Sequence, residues 1–124
     1  MENEVFRNDR FAKYIGAEVL EAKPGYAVAE MKITENHMNG LSLVQGGAIF
    51  TLADYAFAAA SNCGGNITLG INACISYLKS PQGSRLTAVA KEVHSGRKIS
   101  HYEVEVTDEN GEPVALVHIT GYRK

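Results

Sequence analysis

Between Asn36 and Leu78 the sequence holds a single Asp, Glu, Lys or Arg side chain, Asp54. It lies in the run from Gly46 to Asn62, where Ala48, Leu52, Ala53, Ala56, Ala58, Ala59 and Ala60 favour a helix. Aspartate is a poor residue for a helix interior, because its carboxylate competes for nearby backbone groups. Burying it ionised is costly unless it is paired, and no cation is close in sequence. The plainer reading is a partly exposed helix residue or a buried acid satisfied by a backbone donor; the chemical reading, which these costs favour, is that a carboxylate in an apolar cleft suits a general base or a nucleophile. Gly46 and Gly47 open the same helix, so backbone N–H groups point outward from its first turn. Such a terminus favours negative charge and suits the oxygen of a carbonyl under attack. The two glycines read equally well as a tight loop-to-helix turn.

The spacing constrains that chemistry. Gly46 and Asp54 are eight residues apart, roughly 12 Å along one helix. One carboxylate cannot reach a carbonyl bound at its own helix's start. Two helices crossing in an oligomer could bring Asp54 of one copy to Gly46 of the other, which predicts a site shared between subunits.

The elements that must hold these groups follow from periodicity. A short helix is expected over residues 3–14, with Val5, Phe6, Phe11 and Tyr14 as its apolar set. Strands over 17–23 and 26–34 flank the Pro24-Gly25 turn, and 37–43 reads as a loop. The long helix spans about Gly46 to Asn62, with Gly64-Gly65-Asn66 as a left-handed stop. It has no polar face, so it is expected to be buried on all sides. Strands over 67–79, 85–95, 98–108 and 114–123 complete the chain. In the third of these Tyr102, Val104 and Val106 alternate with His101, Glu103 and Glu105, the pattern of a strand with one wet face. The last two make a hairpin. The sum is an α+β fold, an antiparallel sheet wrapped around one long central helix. A single sheet layer leaves one side of that helix open, and a second copy of the chain is the simplest cover.

Composition narrows the function classes. The 124 residues suit one domain, 1–124. Net charge is -2 with mixed signs, and no basic surface or aromatic-basic motif points to nucleic acid. The N-terminus is charged from its second residue, unlike a signal peptide, and the glycine- and asparagine-punctuated apolar run is no membrane span. Cys63 and Cys74 read as reduced thiols of a cytoplasmic protein. Neither they nor His94, His101 and His118 have metal-ligand spacing.

The stretch from Asn39 through Phe57 resembles the hotdog-fold acyl-CoA thioesterases of the phenylacetate-degradation (PaaI-like) type. That family typically shows Asn-Gly or Asn-x-x-Gly, then His-Gly-Gly, then a helix carrying Leu-Ala-Asp-x-Ala; here stand Asn39-Gly40, Gln45-Gly46-Gly47 and Leu52-Ala53-Asp54-Tyr55-Ala56. The strands after residue 75 also resemble the family's pattern. The resemblance implies hydrolysis of an acyl- or aryl-CoA thioester at a dimer interface, with coenzyme A as part of the substrate and no cofactor or metal. It implies a homodimer or a dimer of dimers. Asp54 would be general base or nucleophile, Gly46 the carbonyl donor, and Asn39 an aid in positioning the reactive groups or water. Gln45 departs from the family's His: it cannot transfer a proton, but its amide can donate to a carbonyl. His37 is a candidate to replace that His. The missing His also keeps open a CoA-ester-binding module without catalysis.

Other candidates rest on position. Gly47 and Thr68 would line the substrate, with Ser76 beside them. Arg97 and Lys98, together with Lys79 or Arg85, would meet the phosphates of coenzyme A; solvated turn charges are the plainer reading. Tyr55, Phe57 and Tyr77 would shape an acyl pocket or pack the core.

Overall fold

The computed structural model describes residues 5–124. A 3-10 turn (Val5–Asn8) and helix α1 (Arg10–Tyr14) precede strands β1 (Ala17–Lys23) and β2 (Tyr26–Lys32). A 3-10 turn (Glu35–His37) and a loop lead to helix α2 (Gly46–Asn62). Strands β3 (Thr68–Tyr77), β4 (Arg85–Ser95), β5 (Ile99–Asp108) and β6 (Pro113–Arg123) follow. The six strands form one sheet in the order β1-β2-β4-β5-β6-β3, and every neighbouring pair is antiparallel. This is the hotdog arrangement, a sheet curled over one long helix.

Small residues set how closely helix and sheet approach. α2 packs chiefly on β2 and β4, where Ala27, Ala29, Ala88 and Ala90 face Leu52, Ala53, Ala56 and Ala60, all buried. In β5 Tyr102, Val104 and Val106 are buried while His101, Glu103 and Glu105 are exposed, as the alternation requires. Gly64 (φ 84°) and Gly65 (φ 94°) take the left-handed backbone that ends the helical run. Side chains close that end: the Thr68 N–H donates to Asn62 Oδ1 at 2.8 Å, and Ser61 Oγ donates to the Phe57 carbonyl at 2.8 Å.

Two expectations are corrected. The helix expected over 3–14 is broken at Asp9, whose extended backbone (φ -72°, ψ 105°) and side chain cap α1 by accepting from the Ala12 N–H at 2.9 Å. Residues 3 and 4 lie outside the described chain. The break shifts the buried set to Phe6 and Ala12, leaving Val5, Phe11 and Tyr14 exposed. Nor is α2 buried on all sides within one chain: Gly47 and Asp54 are exposed, and Thr51 and Ala58 half-buried. Spacings of four, three and four residues place these on one stripe, the face that a single sheet layer leaves uncovered.

Candidate active site

Gln45 before the helix and Tyr77 from β3 both bond to the first turn of α2. Gln45 is the N-cap, and its side-chain oxygen accepts from the Gly47 N–H at 2.9 Å. That bond fixes the orientation of the amide, so its NH₂ remains as a donor. The Ala48 and Ile49 N–H groups both reach the Gln45 carbonyl, at 3.0 and 3.3 Å. Of the first-turn donors, the Gly46 N–H alone has no acceptor among the described residues. The sequence expectation of two open glycine donors is thus narrowed to one, because the cap takes the other.

Both glycines also have steric reasons. A Cβ on Gly47 would stand 2.5 Å from the Gln45 side-chain oxygen. A Cβ on Gly46 would stand 2.9 Å from the Tyr77 ring. Tyr77 comes from the end of β3, and its hydroxyl donates to the Gly46 carbonyl at 3.0 Å. Sequence reasoning offered Tyr77 as an acyl-pocket or core residue; it is half-exposed, so not core, and it clamps the helix start.

Asn39 shapes the loop before the helix. Its side-chain oxygen accepts from the N–H groups of Leu41 (2.8 Å) and Leu43 (3.1 Å), and its own N–H donates to the Leu43 carbonyl at 2.7 Å. The side-chain oxygen is therefore engaged, and only its NH₂ is left for substrate or water. His37 is buried, with Nδ1 accepting from the Thr34 N–H at 3.0 Å and Nε2 donating to the Ile15 carbonyl at 2.8 Å. Both ring nitrogens are occupied, so His37 is not a replacement for the family's His.

Asp54 has a different setting. It has no hydrogen bond or ion pair among the described residues, and it borders a cleft of about 340 Å³ with Asn8, Asp9, Phe57, Thr68 and Gly70. Although exposed in the single chain, its carboxyl is crowded by protein. This desolvation, and second the negative charge of Asp9, raise it above the usual carboxylate range. Asn8 and Asp9 were not among the sequence candidates. Phe6, buried beside them, anchors their turn against α2, and no local pattern announces that contact.

The remaining candidates divide. Thr68 lines the Asp54 cleft, but it is buried and its hydroxyl donates to the Ser61 carbonyl at 3.2 Å. Arg97 and Lys98 are exposed in the β4–β5 turn, without a carboxylate partner among the described residues. Lys98 lies 5.6 Å from the centre of the Tyr122 ring. That turn abuts Arg123, paired with Thr68 at the start of β3, whereas Gly46 lies at Tyr77, the end of the same strand. Lys79 pairs with Glu112 and Asp108, and Arg85 with Glu30 at 3.2 Å, so both are engaged within the chain. Ser76 is exposed; Tyr55 and Phe57 are buried, Phe57 edge-on to Tyr102 with ring centres 5.2 Å apart. Cys63 is buried, Cys74 is exposed, and neither forms a disulfide. Among the described residues no group of three or more His, Cys, Asp or Glu is placed to hold a metal, and no helix is long and apolar enough to cross a membrane.

A carboxylate without a partner among the described residues, on a helix that also offers an N-terminal N–H donor, can attack, or activate water toward, a polarised carbonyl. Comparison with known proteins decides the family. Residues 41–115 match the Thioesterase superfamily. The chain belongs to this superfamily. An Archaeoglobus fulgidus protein is 41% identical over 120 residues, which is 96% of this chain and 78% of that one. The acyl-coenzyme A thioesterase PaaI of Escherichia coli is 32% identical over 96% of this thioesterase-superfamily chain and 86% of its own length. The crystal structure of a Thermus thermophilus protein superposes with a TM-score of 0.88 at 35% identity, covering 94% of this chain and 98% of that one. The structure of E. coli PaaI, described as from the phenylacetic acid degradation operon, superposes with a TM-score of 0.89 at 31% identity, covering 98% and 94%. The PaaI-like hotdog resemblance is thereby established.

Proposed function

We propose that this thioesterase-superfamily chain hydrolyses an acyl- or aryl-coenzyme A thioester to the free acid and coenzyme A, at a site shared between two copies. The observation that carries the reading is Asp54, an ionisable side chain without a partner among the described residues, set in the apolar long helix of the fold. The E. coli relative, named as an acyl-coenzyme A thioesterase, supports the substrate class.

In this reading the thioester carbonyl accepts from the Gly46 N–H of one copy, and Asp54 of the other acts on its carbon. As general base, Asp54 takes a proton from water while the water oxygen bonds to the carbonyl carbon. The N–H meets the resulting oxyanion. Collapse breaks the C–S bond, and the departing thiolate takes up a proton. As nucleophile, Asp54 bonds to the carbonyl carbon and the C–S bond breaks, the thiolate leaving and taking up a proton; water then cleaves the mixed anhydride to the free acid and restores Asp54. The raised proton affinity of Asp54 suits either role better than an ordinary surface carboxylate would. The NH₂ groups of Gln45 and Asn39 serve as further donors to the carbonyl or the water. Gly47 and Thr68 line the site.

The second copy is supported by geometry. Eight residues separate Gly46 from Asp54 on one helix. Strand β3 ends the sheet and exposes Leu69, Ile71 and Tyr77, and a long apolar edge strand is a template for another chain. Arg97 and Lys98, at the far end of β3 from Gly46, then meet the phosphates of the ester held by the other copy.

The test is coenzyme A release from a panel of acyl- and aryl-CoA esters by wild type and Asp54→Asn. Turnover that collapses in the variant, with the oligomer intact, is expected. Wild-type protein that hydrolyses none of the esters would overturn the reading. Mixing Asp54→Asn chains with Gly46→Ala chains should restore activity above either alone; no restoration would place the whole site in one chain.

A further inference from the structure

We propose that His37 is a positioning residue of this site, tying the N-terminal segment that carries Asn8 and Asp9 to the first turn of α2 through one fixed, neutral tautomer. The inference rests on the reading of Gly46 as the carbonyl-binding end. Its warrant is a chain of hydrogen bonds that passes through one buried residue. The Thr34 N–H donates to Nδ1 at 3.0 Å. A ring nitrogen that accepts from a backbone N–H carries no proton. Nε2 must then hold the proton, and it points at the Ile15 carbonyl 2.8 Å away. The backbone of the same residue continues the tie: the Gln45 N–H donates to the His37 carbonyl at 2.8 Å. Gln45 is the cap that consumes the Gly47 N–H and leaves the Gly46 N–H open.

Ile15 follows α1 directly, and α1 is capped by Asp9. One imidazole thus joins the segment bordering the Asp54 cleft to the residue that sets the direction of the Gly46 N–H. No other side chain reaches from residues 34–45 to the N-terminal segment by a hydrogen bond among the described residues. Tyr14 of α1 borders the cleft beside the His37 ring, Glu35 shares its turn, Gln45 caps α2, and α2 itself contributes Gly47, Ala48 and Thr51. A misdirected donor is costly because reaction rate depends steeply on the placement of groups around the reacting carbon.

Two conservative variants separate the tie from the local turn. His37→Asn can still accept from the Thr34 N–H but cannot reach Ile15, whereas His37→Gln can reach Ile15 with its NH₂. We expect kcat to fall about tenfold or more in His37→Asn, with KM within about twofold, and to be substantially retained in His37→Gln. Equal kcat in both variants and wild type would overturn the proposal. So would equal losses in both that merely follow the folded fraction measured by circular dichroism. Imidazole nitrogen NMR of the wild-type protein supplies an arm that needs no activity. His37 should give the signature of a neutral ring protonated at Nε2, and a ring protonated at Nδ1 would overturn the tie. If wild type hydrolyses no ester, the thioesterase reading fails and the NMR arm decides His37 alone. If Asp54→Asn is inactive while both His37 variants match wild type, only the tie fails.

Discussion

Two aspartates of this chain stand in opposite circumstances. Asp108, at the end of β5, is buried and surrounded by donors: the N–H groups of Gln82 (2.9 Å), Asn110 (3.0 Å) and Glu112 (3.1 Å), with the Lys79 ammonium at 3.5 Å. These bonds, that from Gln82 foremost, hold its carboxyl below the usual range. Asp54 has no such partner among the described residues, is exposed on the open stripe of α2, and is pushed the other way by desolvation and by Asp9. A carboxylate that a fold uses for its own stability is wrapped in donors. One that stands without donors in an apolar helix, at some cost to that helix, is the one the proposed reaction uses.

The contrast is broken most directly by substituting each residue in turn. Asp54→Asn should lower hydrolysis by about a thousandfold or more, the scale of losing a nucleophile or general base. The same change should leave the melting temperature unchanged or slightly raised near neutral pH. The sign follows from linkage: an acid whose proton affinity is higher folded than unfolded loses stability as pH rises through its titration. For the same reason, kcat/KM should fall on the acid side at a pH above that of an ordinary carboxylate, because the proposed reaction uses the ionised form. A rate profile flat through that region would detach Asp54 from the reaction.

Asp108→Asn should do the reverse, lowering the melting temperature by several degrees with turnover nearly intact at permissive temperature. Wild-type Asp108 contributes stability above its unfolded titration range, and that contribution is lost as pH falls through its depressed folded value. Acid unfolding followed by circular dichroism should therefore be less steep in the variant. Equal steepness would show that the donors around Asp108 do little for the ionised form.

The helix start sharpens the comparison at a smaller scale. Gly46→Ala places a Cβ against the Tyr77 ring, and such overpacking costs about 1–3 kcal/mol. We expect a loss of activity of about tenfold, roughly half of it recovered on the logarithmic scale when Tyr77→Ala relieves the clash. No recovery would mean that Gly46 serves by something other than fit to Tyr77. The smallest effect should come from position 45. Gln45→Ala removes the cap and about 1 kcal/mol of stability. Gln45→His should alter the rate or its pH dependence, and a variant unchanged in both would place position 45 outside the reaction path.

Much of this was legible in the residues themselves. The limits of α2 lie at Gly46 and Asn62, where the glycine pair and the glycine-rich stop required them. The period of two in β5 predicted which residues face the core. A lone charge in an apolar run singled out Asp54, because the cost of an unpartnered carboxylate is a local property that any fold must meet. The N-terminal helix expected over 3–14 is broken at Asp9 for a related reason: its apolar residues match a helical spacing, but Asp9 caps a new helix rather than continuing an old one.

Tertiary structure alone decided the rest. Tyr77 reaches Gly46 because the chain returns along β3, the edge strand beside β6. Asn8 and Asp9 border the Asp54 cleft because Phe6 is buried there, and His37 faces Ile15 because the loop before α2 folds back over the end of α1. Periodicity records which side of an element is apolar. It does not record which distant element will cover that side, since hydrophobic burial is non-directional and specific partners are chosen by shape and hydrogen bonding after the chain has collapsed.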